Sequence, residues 1–166
     1  MNNIFKVKGK CKIIQLIRSI FISSAILSLT YLFIKNSINT YNELIKPFFI
    51  PPFIILSIIT VVLYIIWGFS SYRIFMVGKT GNNIKDSLFY YYLQLLLNFL
   101  WYFVFFVFRL YGISFILMFI IFIIVFICFL KFYKYDKLSG RLFSINIIWT
   151  LFLCYTNFCI WMNNEM

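Results

Sequence analysis

The stretch Tyr41–Tyr64, YNELIKPFFIPPFIILSIITVVLY, decides the fold. It opens as a polar, partly extended loop, passes Lys46-Pro47 and Pro51-Pro52, and becomes an apolar run that continues to Phe75. The N–H groups of a helix's first turn have no intrahelical partner, so proline there forfeits no hydrogen bond. Pro51-Pro52 therefore predicts a loop that ends in a helix start, not a kink. All 3 prolines of the chain fall within this loop, which places its stiffest segment at the mouth of a hydrophobic helix.

The same apolar character extends outward along the chain. Of its 166 residues, 64% are hydrophobic and 11% charged. A soluble domain has about 45–50% apolar and about 25% charged residues, so this chain cannot cover its surface with polar groups and reads as an integral membrane protein. Five apolar segments, at approximately 13–34, 53–75, 88–108, 111–131 and 141–162, each approach the roughly 20 residues that cross about 30 Å of hydrocarbon. Sheet edges would stay unpaired in lipid, so the segments are helices. The expectation is an all-α membrane protein, a five-transmembrane-helix bundle forming one domain over residues 1–166. The first run is too long for a signal-peptide core and lacks an Ala-x-Ala-type cleavage site, so it is expected to remain as the first helix. Arg109-Leu110-Tyr111-Gly112 predicts a tight helical hairpin with Gly112 as the breaker, and Gly78 with Gly81-Asn82-Asn83 a longer polar loop.

Charge sets the expected orientation. With the amino terminus in the cytoplasm, Lys6, Lys8, Lys10, Lys12, Arg18, Arg73, Lys79, Lys85, Lys131, Lys134, Lys137 and Arg141 share that side, and only Lys35, Lys46 and Arg109 lie opposite. Short cytoplasmic loops collect Lys and Arg, so the amino terminus is expected inside and the carboxyl terminus outside. The net charge of +11 is then explained by the membrane and its anionic lipids, without nucleic acid as a partner.

The chain has no histidine, and its four cysteines, Cys11, Cys128, Cys154 and Cys159, form no C-x-x-C pair. Metal, haem-histidine and Cys/His catalytic sites are excluded, and the thiols read as buried and inert. The acids Glu43, Asp86, Asp136 and Glu165 fall in loops or at the end. A proton-coupled transporter ordinarily carries an acid at membrane depth, so that class is disfavoured.

Polar residues within the apolar runs fall on helix faces. Gln94, Asn98 and Trp101 share one face of the third helix, and Trp149 and Asn157 one face of the fifth, which also carries Asn146. Thr60, Tyr64, Trp67 and Ser71 form a stripe on the second. Such amides can join helices at about 0.6–2 kcal/mol per bond. They can equally furnish a pocket with aromatic walls and a few polar groups, suited to a flat, mostly apolar ligand.

Several motifs occur in order: Y-x-x-L-x-K-P at Tyr41, Leu44, Lys46 and Pro47; Pro51-Pro52; L-Y-x-x-x-G at Leu63, Tyr64 and Gly68; and then Arg73. L-Q-L-x-L-N-x-x-W-x-x-x-F-F follows from Leu93 to Phe106, then W-x-x-F at Trp149 and Phe152 and N-x-x-x-W at Asn157 and Trp161. In this set the chain resembles the TspO/MBR family, the tryptophan-rich sensory proteins related to the mitochondrial translocator protein. The resemblance implies a five-helix bundle, commonly a homodimer, in a bacterial cell membrane, with a pocket closed by the first loop. It implies ligands, not resident cofactors: porphyrins such as protoporphyrin IX or haem, sterols in some members, and benzodiazepine-type compounds. Carried over by position, Tyr41, Gln94, Asn98, Trp101 and Trp149 line that pocket, and Pro51, Thr60, Tyr64, Phe152 and Asn157 complete the expected ligand-binding set. The implied role is a receptor or sensor for a tetrapyrrole; transport of that ligand, or its light- and oxygen-dependent breakdown, are the alternatives. The chain departs from the family in having only Trp67, Trp101, Trp149 and Trp161. Phe49, Ile54 and Thr60 stand where members often have tryptophan, which counts against breakdown. The sterol pattern L/V-x-Y-x-K/R fails after Leu153 and Tyr155.

Overall fold

A computed structural model of the chain describes residue 7 and residues 12–79, 81 and 83–165. Lys6, Lys8, Lys10, Cys11 and Asn82 lie outside these residues. Five long helices dominate: α1 (Ile13–Ile34), α3 (Phe53–Gly78), α4 (Lys85–Tyr102), α5 (Tyr111–Tyr135) and α6 (Lys137–Asn164), and no strand occurs among the described residues. All five are long and apolar enough to cross a membrane. A 3₁₀ turn, Lys35–Ser37, leads from α1 into the short α2, Ile38–Glu43. Tyr41 is thus helical, and the extended part of the loop begins only at Leu44. As its prolines predict, α3 starts at Phe53 with Pro52 as N-cap.

The helices α3, α5 and α6 outlast their apolar runs by one turn or so at one end of the bundle, where the basic residues collect. Around the bundle, α1 packs on α3, α3 on α6, α6 on α5, α5 on α4 and α4 back on α1. The α5–α6 contact is the most extensive because Asp136 alone joins the two helices.

At the α1–α3 crossing a Cβ on Gly68 would stand 2.5 Å from Ser23 Oγ and 2.7 Å from the Ile20 Cα. Small residues permit such backbone approach in lipid, where dispersion and not water exclusion drives helix association. The crossing fixes α1 against the middle of α3.

The basic end is locked by a part-buried ion pair. Arg73 Nε donates to Asp136 Oδ2 at 2.6 Å, and its second nitrogen to Oδ1 at 2.9 Å, a two-pronged fit of guanidinium to carboxylate. Asp136 also caps α6 by accepting from the Ser139 N–H at 2.9 Å, and Ser139 Oγ donates to the Ser70 carbonyl at 2.8 Å. Burial alone would raise the Asp136 pKa, but the Arg73 and Ser139 bonds and the Arg73 charge outweigh it and hold the acid below its ordinary range.

The opposite end corrects one expectation. The hairpin between α4 and α5 turns at Arg109, whose φ of +56° is left-handed, and not at Gly112. Gly112 belongs to the first turn of α5, and a Cβ there would lie 2.8 Å from Trp161 Nε1. It is a glycine because an indole lies against it. Glu165 closes this end by accepting from the N–H groups of Tyr111 at 2.6 Å and Gly112 at 2.9 Å, where the dipole of α5 favours a negative charge.

Candidate functional site

The helix α4 does not end cleanly. Residues Phe103–Val107 form a π-helical turn, closed by Phe108 N–H to the Phe103 carbonyl at 3.0 Å. In a regular helix Phe105 and Phe106 would diverge by about 100°. Both rings are nonetheless almost fully buried and line the same inner surface.

That surface is one wall of a cavity of about 420 Å³ in the half of the bundle nearest the proline loop. This size lies within the range of about 300–1,000 Å³ typical of small-molecule pockets. Trp101, Tyr102, Phe105 and Phe106 come from α4, and Trp149, Leu153, Thr156 and Asn157 from α6. Leu56, Thr60 and Val61 come from α3, and Leu27, Tyr31 and Leu32 from α1. Tyr41 closes the loop end, its ring 5.7 Å from that of Phe53 and 6.3 Å from that of Phe106.

Tyr41 is buried, and its hydroxyl donates to the Pro51 carbonyl at 3.2 Å. Burial pushes its pKa up to about 12, so it remains a neutral donor. The Lys46 ammonium donates to the Tyr41 carbonyl and sits 4.0 Å from the centre of its ring. Asn164 then ties Ile45 by both backbone groups, at 3.0 and 3.1 Å. The loop is braced within itself and fastened to the end of α6.

Polar groups on the wall mostly bond within the protein. Thr60 and Ser57 donate to the Leu56 and Phe53 carbonyls, each at 2.8 Å, and Thr156 to the Phe152 carbonyl at 2.9 Å. Asn157 Oδ1 accepts from Trp101 Nε1 at 3.1 Å and Ser114 Oγ at 3.0 Å, while its Nδ2 donates to the Leu153 carbonyl at 2.7 Å. What faces the space is aromatic and aliphatic surface.

Such a five-helix bundle, with an inner aromatic cavity beneath a proline loop, agrees with comparison to known families: the TspO/MBR family model matches residues 19–162. The chain belongs to the TspO/MBR family. No curated protein matches it. As a TspO/MBR protein with five apolar helices it is a multi-pass integral membrane protein, and this membership fits a membrane receptor or transporter.

Of the ten residues expected to bind ligand, Tyr41, Thr60, Trp101, Trp149 and Asn157 lie on the cavity wall. Pro51 stands behind it, holding the Tyr41 hydroxyl. Phe152 sits off the wall with its ring 5.5 Å from that of Trp149. Tyr64 is buried with its ring 4.5 Å from that of Trp67, and its hydroxyl has no hydrogen-bond partner. Gln94 is fully buried with neither amide atom bonded, and Asn98 donates to the Gln94 carbonyl at 2.9 Å. These last three lie deeper in the bundle than the cavity wall. Sequence reading missed Tyr102, Phe105, Phe106 and the α1 residues. The Phe105-Phe106 pair was visible as a motif, but adjacent residues on a helix are not expected to share a face.

Proposed function

We propose that this protein is a membrane receptor for a flat, mostly apolar ligand of the tetrapyrrole type, held inside the helix bundle. The observation that carries the reading is the cavity itself. Its walls offer the Trp101 and Trp149 indoles with Phe105 and Phe106, while Asn157 and the threonines have their donors engaged elsewhere. A ligand there gains from apolar burial at about 25 cal/mol per Å² and from ring stacking, not from a dense set of hydrogen bonds. Among the described residues no cluster of His, Cys, Asp and Glu is grouped to hold a metal ion.

The test is quenching of tryptophan fluorescence by protoporphyrin IX in purified protein, with Trp149→Phe alongside, in darkness and under light. Saturable micromolar quenching that Trp149→Phe diminishes is the expected result. Quenching that rises linearly without saturation would remove the porphyrin reading.

A further inference from the structure

The cavity is not equally closed on all sides. Trp101, Phe105 and Phe106 on α4 are almost fully buried. At the seam between α1 and α4, Phe33, though 55% exposed, spans to α4 with its ring 6.4 Å from that of Phe99 and 5.3 Å from that of Phe103. The seam between α1 and α3 differs along its length. In its basic-end half the Gly68 crossing brings the backbones together. In its loop-end half the cavity lining itself reaches the outside: Tyr31 is 54% exposed, Leu32 59% and Val61 48%. Among the described residues, the side-chain hydrogen bonds of residues 27–34 and 53–61 run back along their own helices and not across the seam.

We propose that this slot between the loop-end halves of α1 and α3 is a lateral portal, through which the cavity exchanges its apolar ligand with the hydrocarbon of the bilayer. The proposal rests on the ligand reading above and adds to it the source of the ligand and its path. Depth supports it: Leu56 to Val61 lie about 5–12 Å below the start of α3 at 1.5 Å per residue, level with acyl chains and not with water. The energetics of the two routes support it as well. Lifting the loop off the bundle would break both Ile45–Asn164 bonds, while the Tyr41–Pro51 and Lys46–Tyr41 bonds keep the loop itself rigid. Widening the slot breaks none, and it separates apolar side chains in a solvent as apolar as they are, which carries little hydrophobic penalty. The Gly68 crossing, close to the far end of the slot, holds the helices together while their loop ends part.

The experiment compares rates in lipid nanodiscs by stopped-flow protoporphyrin IX quenching. Ser28 on α1 also lines the cavity and is exposed, so Ser28→Phe combined with Val61→Phe plugs the slot, and Asn164→Ala releases the loop. The expected result is association at least fivefold slower in the plugged protein, with dissociation slowed as well, and an unchanged association rate in Asn164→Ala. Unslowed association in the plugged protein, or faster association in Asn164→Ala, overturns the portal. A second readout needs no porphyrin. With Trp101 as the sole tryptophan, phospholipid brominated at mid-chain should quench it, and plugging the slot should reduce that quenching by half or more. Quenching unaffected by the plug also overturns the portal. A failure of protoporphyrin IX to saturate the wild-type protein counts against the ligand reading alone, and the bromine readout still decides the portal.

Discussion

Trp101 Nε1 donates to Asn157 Oδ1 across 3.1 Å, joining α4 to α6 at the cavity wall. The same oxygen accepts from Ser114 on α5, so one buried amide holds three helices together. Two readings of the membrane amides, helix glue and pocket wall, meet in this residue. Its hydrogen bonds do the first and its place on the wall the second.

Asn157→Leu keeps the volume but leaves the Trp101 indole N–H without its acceptor, while Ser114 still has the Tyr111 carbonyl. Orphaning one buried donor costs about 1–3 kcal/mol, so thermal unfolding in detergent should occur several degrees lower. An unchanged transition would mean that the indole finds another acceptor at once.

Gly68→Ala tests the crossing on which the slot depends. The new methyl would meet Ser23 Oγ at 2.5 Å and the Ile20 Cα at 2.7 Å, and a backbone atom cannot swing away. Overpacking of this kind costs about 1–3 kcal/mol, and α1 should move off α3. Heat stability should fall in Gly68→Ala and stay low in Gly68→Ala with Ser23→Ala, because the Ile20 contact persists. Full recovery in the double variant would place the strain on the hydroxyl alone.

Much of this fold was legible because the chain states it redundantly. Apolar runs of membrane length, prolines at a helix start and a one-sided charge pattern all point to five helices. What stayed hidden depends on contacts between distant residues. Nothing near Gly112 announces that Trp161 lies against it, nor that Arg109 takes the left-handed turn. The π turn at Phe103–Val107 leaves no periodic trace, and adjacent residues such as Phe105 and Phe106 are not expected on one wall from helical spacing. Gln94 and Asn98 share a helical face with Trp101, as their spacing requires, but that face runs deeper than the cavity, and only Trp101 reaches it.

The Arg73–Asp136 pair predicts an acid response. Asp136 has its pKa lowered in the fold, so its contribution to stability is complete above the unfolded value of about 3.9 and is lost as pH falls through the folded value. Asp136→Asn should therefore destabilise the protein at neutral pH, by about 1.5–3 kcal/mol, the range for hydrogen bonds to a charged group. Below pH 4 the gap between variant and wild type should narrow. Melting curves at pH 7 and pH 3.5 check this, and a gap that does not change with pH would show that the pair contributes through packing, not charge.

Trp149 separates an aromatic wall from a merely apolar one. Its indole lines the cavity and lies 5.5 Å, centre to centre, from the Phe152 ring. Trp149→Phe keeps a π face for a flat ligand, whereas Trp149→Ala removes both the face and most of the area. A stacked aromatic pair is worth about 0.5–1.5 kcal/mol beyond its burial. Adding the lost area takes the Ala variant past about 1.4 kcal/mol, which is tenfold in affinity. Followed through porphyrin emission, so that losing a tryptophan does not alter the signal, Trp149→Phe should bind within a few-fold of wild type and Trp149→Ala at least tenfold more weakly. Equal affinities for the two variants would mean that the ring is scenery, and that the ligand is held on the α4 side by Trp101, Phe105 and Phe106.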